Sequence, residues 1–150
     1  MPITIAPESP LTADGQSLID GSQAALLEVF SPDEIFTFSP AELANPATTF
    51  LVARDGAAAL GCVALVDCGD YGEVKRLYVS AAGRGRGLAK ALMAALEDQA
   101  RAGGKGAVML ETGDALVPAV ALYKSLGYRV RGPFGDYPEH PASLFMEKRL

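Results

Sequence analysis

The stretch Arg84-Gly85-Arg86-Gly87-Leu88-Ala89 constrains this chain more than any other. It lies between an apolar run ending Leu77-Tyr78-Val79 and an amphipathic segment starting at Leu88. A glycine-rich, arginine-bearing turn from a strand into a helix is an anion cradle. The glycines let successive backbone N–H groups converge, the helix N-terminus adds its positive dipole end, and the arginines add full charges. The expected guest is a phosphate or pyrophosphate. A Walker-type loop requires Lys-Ser or Lys-Thr after its last glycine, and here Leu88-Ala89 follows Gly87. A dinucleotide fingerprint requires G-x-G-x-x-G or a final alanine. Gly85 and Gly87 supply its first half, but Lys90 occupies the last position and would obstruct close helix–strand packing.

The rest of the chain reads as one folded unit. At 150 residues, 49% of them apolar and 21% charged, it suits a single domain with a substantial core. The net charge of −5 argues against nucleic acid as partner, because phosphate neutralisation needs basic surface. It leaves room for an amine or cationic substrate. Met1-Pro2-Ile3-Thr4-Ile5 lacks the basic start and long apolar region of a signal peptide, and no apolar stretch approaches the length a bilayer needs. A cytoplasmic protein without a membrane partner is the expectation. Cys62 and Cys68 would stand ~20 Å apart in one extended strand, too far to bridge, so two reduced thiols are expected. His140 is the only histidine. A lone loop histidine is usually just solvated, and with no cysteine cluster beside it no metal site is expected.

Periodicity gives the order of elements. Ile3 and Ile5 suit a short first strand. Asp14 to Phe30 carries Leu18, Ile19, Leu26, Leu27 and Phe30 at helical spacing, with Asp14 as cap. Ser31 to Pro46 is broken by prolines and holds one short helix near Pro40 to Ala44. Three strands follow, Thr48 to Arg54, Leu60 to Asp67 and Glu73 to Val79, joined by turns at Asp55-Gly56 and Cys68 to Gly72, which makes an antiparallel meander. Leu88, Leu92 and Leu96 then recur every fourth residue in a helix that stops at Gly103-Gly104. Ala107 to Glu111 is a short strand. Asp114 caps a last helix with Pro118 in its first turn, ended by Gly127. Two strands near Tyr128 to Arg131 and Leu144 to Lys148 close the chain. The strand–helix–strand piece from Glu73 to Glu111 should be a right-handed parallel crossover.

Arg84, Gly87 and Ala89 read R-x-x-G-x-A, which resembles the pyrophosphate-binding motif (Q/R)-x-x-G-x-(G/A) of the GNAT family of N-acetyltransferases. The later stretch Ala121-Leu122-Tyr123-Lys124-Ser125-Leu126-Gly127-Tyr128 is similar to the family's A-x-x-L-Y-x-x-x-G-F/Y segment with one spacing residue absent. An antiparallel meander feeding one parallel crossover is also that family's layout. The resemblance covers nearly the whole chain. It implies an α/β (α+β) fold of the acyl-CoA N-acyltransferase type, with a mixed, mostly antiparallel sheet flanked by helices, in a single domain over residues 1–150.

The resemblance further implies an acyltransferase that moves an acetyl group from acetyl-coenzyme A directly to the amine of a small acceptor, as a monomer or homodimer. In the family the strand before the loop splays from its neighbour and the pantetheine arm lies in the gap. Leu77, Tyr78 and Val79 would supply backbone groups there, and Arg84, Gly85, Arg86, Gly87, Leu88 and Ala89 would hold the pyrophosphate through charge-assisted bonds. Glu73 opens the strand leading to the loop, where many members carry a glutamate that deprotonates the amine through water. The other reading is a solvated carboxylate. Tyr123 stands where the family places a hydroxyl beside the thioester sulfur. The other reading is a ring packed in the core. The acceptor pocket would draw Phe36 and Phe38 from the segment between the first two helices, and Phe134 and Tyr137 from the loop between the last two strands. Those rings suit a small organic acceptor, or else they only close the core. Cys62 has nothing nearby in sequence to activate it, and Glu111-Thr112-Gly113 could touch substrate or begin a turn. A protein that binds acyl-coenzyme A without catalysis, as a sensor or regulator, is the alternative.

Overall fold

The computed structural model describes residues 2–150, so Met1 of the N-terminal reading lies outside the described residues. Among the described residues seven strands and four α-helices follow in this order: β1 Ile3–Pro7, α1 Ala13–Leu27, α2 Pro40–Leu43, β2 Thr48–Asp55, β3 Ala58–Asp67, β4 Tyr71–Val79, α3 Leu88–Ala102, β5 Ala107–Thr112, α4 Val117–Ser125, β6 Arg129–Arg131 and β7 Leu144–Arg149. They form one sheet in the order β1-β2-β3-β4-β5-β7-β6. Only β4 and β5 run parallel, joined by α3, and every other pairing is antiparallel.

Several expected boundaries move. Thr12, not Asp14, caps α1: its Oγ1 accepts the Gly15 N–H at 2.9 Å, and the helix ends at Leu27 rather than Phe30. Asp114 does not cap α4, which starts at Val117 with Leu116 as its cap residue. An Asp114 cap would put Pro118 at the fourth helical position, whose N–H makes the first intrahelical bond. Proline lacks that N–H, so the start slides until Pro118 falls in the first turn. Finally, β4 begins at Tyr71, so Glu73 sits inside the strand rather than opening it. Gly72 permits this, because a Cβ there would meet Leu65 Cδ1 at 2.5 Å. The short helix α2 has a sequence signature the proline count overlooks. Ser39 and Glu42 form a capping box, with Ser39 Oγ accepting the Glu42 N–H at 3.2 Å and Glu42 Oε1 accepting the Ser39 N–H at 3.0 Å.

The sheet has an apolar layer on each face. Leu88, Leu92, Met93, Leu96 and Ala100 are buried along α3, and all but Leu88 pack in one cluster with Leu51, Val63, Val108, Leu110 and Met146. Leu18, Ile19 and Leu43 from α1 and α2 pack on Phe50, Val52, Cys62 and Ala64 of the opposite face. Each such leucine, fully removed from water, contributes roughly 1.5–3 kcal/mol, so both helical layers are firmly docked. That docking fixes the strands between which the site opens.

Candidate active site

A break in the sheet creates the site. The β4–β5 ladder runs from Tyr71↔Ala107 to Val74↔Leu110 and stops there. Beyond that point β5 continues with β7 to Thr112, while β4 continues with β3 to Val79. The two parallel strands therefore diverge, and Lys75 to Val79 have no neighbour on the β5 side. The cause lies on the other edge of β4. Between the pairs Cys62↔Tyr78 and Ala64↔Lys75, Val63 alone faces both Arg76 and Leu77. The extra residue is a β-bulge, which bends a strand and increases its twist. Arg76 absorbs the bend at φ 55°, the one positive φ outside glycine among the described residues. An arginine held there costs on the order of 1–3 kcal/mol, the kind of strain that accompanies function.

The anion cradle lies where β4 runs out. Gly85 and Gly87 take φ values of 77° and 72°, and Gly87 is the residue that starts α3. Among the described residues, the N–H groups of Gly85 to Lys90 donate to no backbone carbonyl, and no side chain caps the helix. These free donors, on the positive end of a 15-residue helix, make an anion site. The two arginines differ. Arg86 is held by Asp55 of the β2–β3 turn at 3.0 Å, whereas Arg84 forms no ion pair among the described residues.

At the other end of the gap is a cavity of about 130 Å³. Its walls are Val74 to Leu77 of β4, Leu110 to Thr112 of β5, Ser22 and Leu26 of α1, residues 34–37, and Ala119 and Tyr123 of α4. Tyr123 is buried, its ring edge-on to Tyr128 with centroids 5.8 Å apart. Its hydroxyl makes no hydrogen bond among the described residues. Burial, and secondarily the Glu111 charge, push its pKa well above the ordinary phenol value. It therefore stays protonated, with its O–H free to donate. Glu111 is the first residue of β5 past the last β4–β5 pair. Its Oε2 accepts the Ser143 hydroxyl at 2.8 Å. Burial pushes the Glu111 carboxyl up to about 7, against the Ser143 bond and the Lys75 charge, which both pull it down.

Glu73 is positioned differently. It is buried, forms an ion pair with Lys75 Nζ at 3.1 Å, and accepts the Tyr137 hydroxyl proton. Lys75, also buried, donates in addition to Tyr137 Oη and to the Phe36 carbonyl at 3.2 Å, so its three protons are spent. Its ammonium also lies 4.8 Å and 4.7 Å from the Phe38 and Tyr137 ring centroids. This cluster pins the loop before β7 to the middle of β4.

A splayed parallel pair, with a glycine cradle at one end and a Tyr–Glu cavity at the other, is the geometry against which the chain can be compared. Residues 16–128 match the acetyltransferase (GNAT) family. The chain belongs to the GNAT family. It is 41% identical over 150 residues to the IAA acetyltransferase of Azospirillum brasilense, covering 99% of this chain and 98% of that protein. A solved structure from Klebsiella pneumoniae, assigned to the acyl-CoA N-acyltransferases, is similar at 34% identity with a TM-score of 0.81, over 99% of this chain and 97% of that one. The PaiA N-acetyltransferase of Thermoplasma acidophilum, crystallised with coenzyme A, shares the fold at 20% identity and a TM-score of 0.79, each chain covered fully at 100%. This GNAT chain is accordingly an acyltransferase.

Within the GNAT frame the expected site residues separate into groups. Leu77 and Tyr123 meet in the cavity wall, with Phe36 beside them. Phe36, Phe38, Glu73 and Tyr137 line an adjoining, more open recess. Tyr78 and Val79 turn their side chains into the two apolar layers, leaving only their backbone toward the gap. Phe134 is buried among Tyr71, Phe145 and Tyr137 at 5.7, 5.7 and 5.2 Å between centroids, so it closes the core. His140 is not simply solvated: its Nδ1 accepts the Ala142 N–H at 3.0 Å and its ring meets Phe36 edge-on at 5.7 Å. Cys62 is buried, its thiol is pushed up to about 12 by burial, and it donates to the Arg76 carbonyl at 3.3 Å, which leaves it unreactive. Both cysteines are unbridged. Among the described residues no group of three His, Cys, Asp or Glu is arranged to hold a metal ion, and no helix is long and apolar enough to cross a membrane. Sequence reasoning left Glu111 open and overlooked Lys75 and Arg76. The alternation of Glu73 and Lys75 on one strand face was a readable signal. The left-handed Arg76 had none.

Proposed function

We propose that the chain transfers an acetyl group from acetyl-coenzyme A directly to the amine of a small acceptor. The observation that carries this reading is the break in the sheet: past Val74 the free edge of β4 begins in the wall of the cavity that holds Tyr123 and Glu111, and the chain runs on from it to the free N–H groups of Gly85 to Lys90. The cradle suits the donor's pyrophosphate, with Arg84 adding charge. The unpaired edge of β4 from Lys75 to Val79 offers backbone groups to the amides of the pantetheine arm. The small cavity suits a compact amine better than a polypeptide segment. The names of the relatives and the coenzyme A complex of a protein with the same fold support the choice of donor.

Glu111 is the proton acceptor in this reading. An alkyl ammonium near pKa 10.4 must lose its proton before attack. To an ordinary carboxylate near 4.3 that transfer is uphill by about 8 kcal/mol. To Glu111 at about 7 it is uphill by about 5 kcal/mol. Glu73, first expected in this role, is engaged by Lys75 and Tyr137 and positions the wall instead. The neutral amine then attacks the thioester carbonyl carbon, the C–S bond breaks while the Tyr123 hydroxyl hydrogen-bonds the departing thiolate, and the proton that the new amide nitrogen sheds converts the thiolate to the free thiol. Acyl-coenzyme A and unbridged thiols both suit the cytoplasm, where we place the reaction.

The test is to incubate the protein with acetyl-coenzyme A and a panel of small amines and to follow free thiol. Amine-dependent thiol release is expected. Coenzyme A binding with no release across the panel would refute acetyl transfer, and failure to bind coenzyme A would refute the donor as well.

A further inference from the structure

Most basic side chains among the described residues have an acidic partner. Arg54 holds Glu8 and Asp14, Arg86 holds Asp55, Arg131 holds Glu147 and Lys75 holds Glu73. Arg76 has none among the described residues. It projects from the bulge of β4 into the cavity wall, half-buried, and meets only neutral oxygens. Its Nε donates to the Phe38 carbonyl at 3.1 Å and its Nη1 to Ser22 Oγ at 3.3 Å. A guanidinium carries five N–H groups in a planar fork, so three remain. The carboxylates whose charge reaches it are Asp20 of α1 and Glu42 of α2. Both act on it only at a distance, and Glu42 is committed to its cap at Ser39. Burial accordingly lowers its pKa, the mark of a cation removed from water without compensation. Such a group is costly unless an anion completes it.

The opposite wall supplies the complement. Arg76 stands on β4 and Glu111 on β5, on the two sides of the gap and lining one cavity. A carboxylate suited to take a proton from an amine thus lines the same cavity as an unpaired guanidinium fork.

We propose that Arg76 binds a carboxylate of the acceptor, so that the substrate class is a small amino carboxylate rather than a simple amine. The inference rests on the acetyl-transfer reading and adds the second pole of the substrate. Ser22 and the Phe38 carbonyl position the guanidinium. They take one N–H each from Nη1 and Nε and leave both N–H groups of Nη2 and one of Nη1 for the two carboxylate oxygens, the paired bonding arginine favours. The strained bulge then has a purpose, since it holds this side chain in the cavity wall.

The test compares matched acceptors: amino carboxylates against the amines obtained by removing the carboxyl group. With the unmodified protein, kcat/KM should favour the carboxylate form by about 10- to 100-fold, the range expected when a bond to a charged group is lost. In Arg76→Gln that ratio should fall close to one, with the loss carried by the acceptor KM. Arg76→Lys keeps the charge without the fork and should retain part of the ratio. It also covers the case in which the Gln variant folds poorly. A ratio near or below one in the unmodified protein would overturn the inference while leaving acetyl transfer intact, as would a ratio that survives in Arg76→Gln. No thiol release with any acceptor would instead remove acetyl transfer and, with it, this inference.

Discussion

The cradle and the cavity, at opposite ends of one gap, are built by different means. The cradle is backbone: Gly85 and Gly87 bend the chain and the first turn of α3 presents its N–H groups, all within a few consecutive residues. The cavity is side chain. It draws Ser22 from α1, Arg76 from β4, Glu111 from β5 and Tyr123 from α4. A site made of contiguous backbone needs little from the rest of the fold. A site made of side chains from four elements changes whenever any of them shifts. The donor end of such a protein is therefore conservative in form, and the acceptor end is where specificity can be altered by single residues.

The contrast can be broken most strongly at Glu111. Glu111→Gln should lower kcat by about 10²–10⁴-fold, the span of general acid–base catalysis, with little change in coenzyme A affinity. In the unmodified protein activity should fall as pH drops below about 7, because Glu111 must be deprotonated to accept the proton. A pH–rate profile should show that limb vanish in the variant. Stability moves the opposite way. A carboxyl raised from 4.5 to about 7 in the folded state favours folding when protonated, so its contribution is full below pH 4.5 and is lost as pH rises to 7. Glu111→Gln should then gain about 1–3 kcal/mol over the unmodified protein at pH 8, read by denaturant melts.

Tyr123→Phe should cost about 10- to 100-fold in kcat and leave acetyl-coenzyme A affinity nearly unchanged. Unchanged turnover would remove its hydroxyl from the chemistry. Glu73→Gln probes the wall rather than the reaction. It leaves Lys75 buried without its carboxylate, and should lose about 1–3 kcal/mol of stability while keeping the acidic limb near pH 7. Loss of that limb would transfer the base role to Glu73. Smallest is Gly87→Ala in the cradle. An alanine at φ 72° carries strain of about 1 kcal/mol, so coenzyme A affinity should fall roughly fivefold by calorimetry.

The same contrast governs what could be read in advance. The cradle was legible because left-handed glycines and a helix start are set by adjacent residues. The order of elements, the meander and the parallel crossover followed from periodicity and turns, while the place of β7 between β5 and β6 did not. The choice between Glu73 and Glu111 was not legible. Both are strand carboxylates, and what separates them is Tyr137, 64 positions from Glu73 in the chain, reaching back to the strand together with Lys75. The bulge was hidden for the same reason, since nothing beside Arg76 calls for a left-handed residue. Only the pairing of β4 with β3 on one side and with β5 on the other requires it.

The interrupted β4–β5 ladder also bears on how long the protein lasts. Past Val74 and Leu110 the sheet lacks rungs that a bound molecule with its own amides can supply. Anything that fills them binds the native chain and not the unfolded one, so by mass action it adds about 2.7 kcal/mol at a hundredfold excess over its Kd. Resistance to proteolysis then rises and falls with the supply of that molecule, and an idle protein is the one most readily degraded.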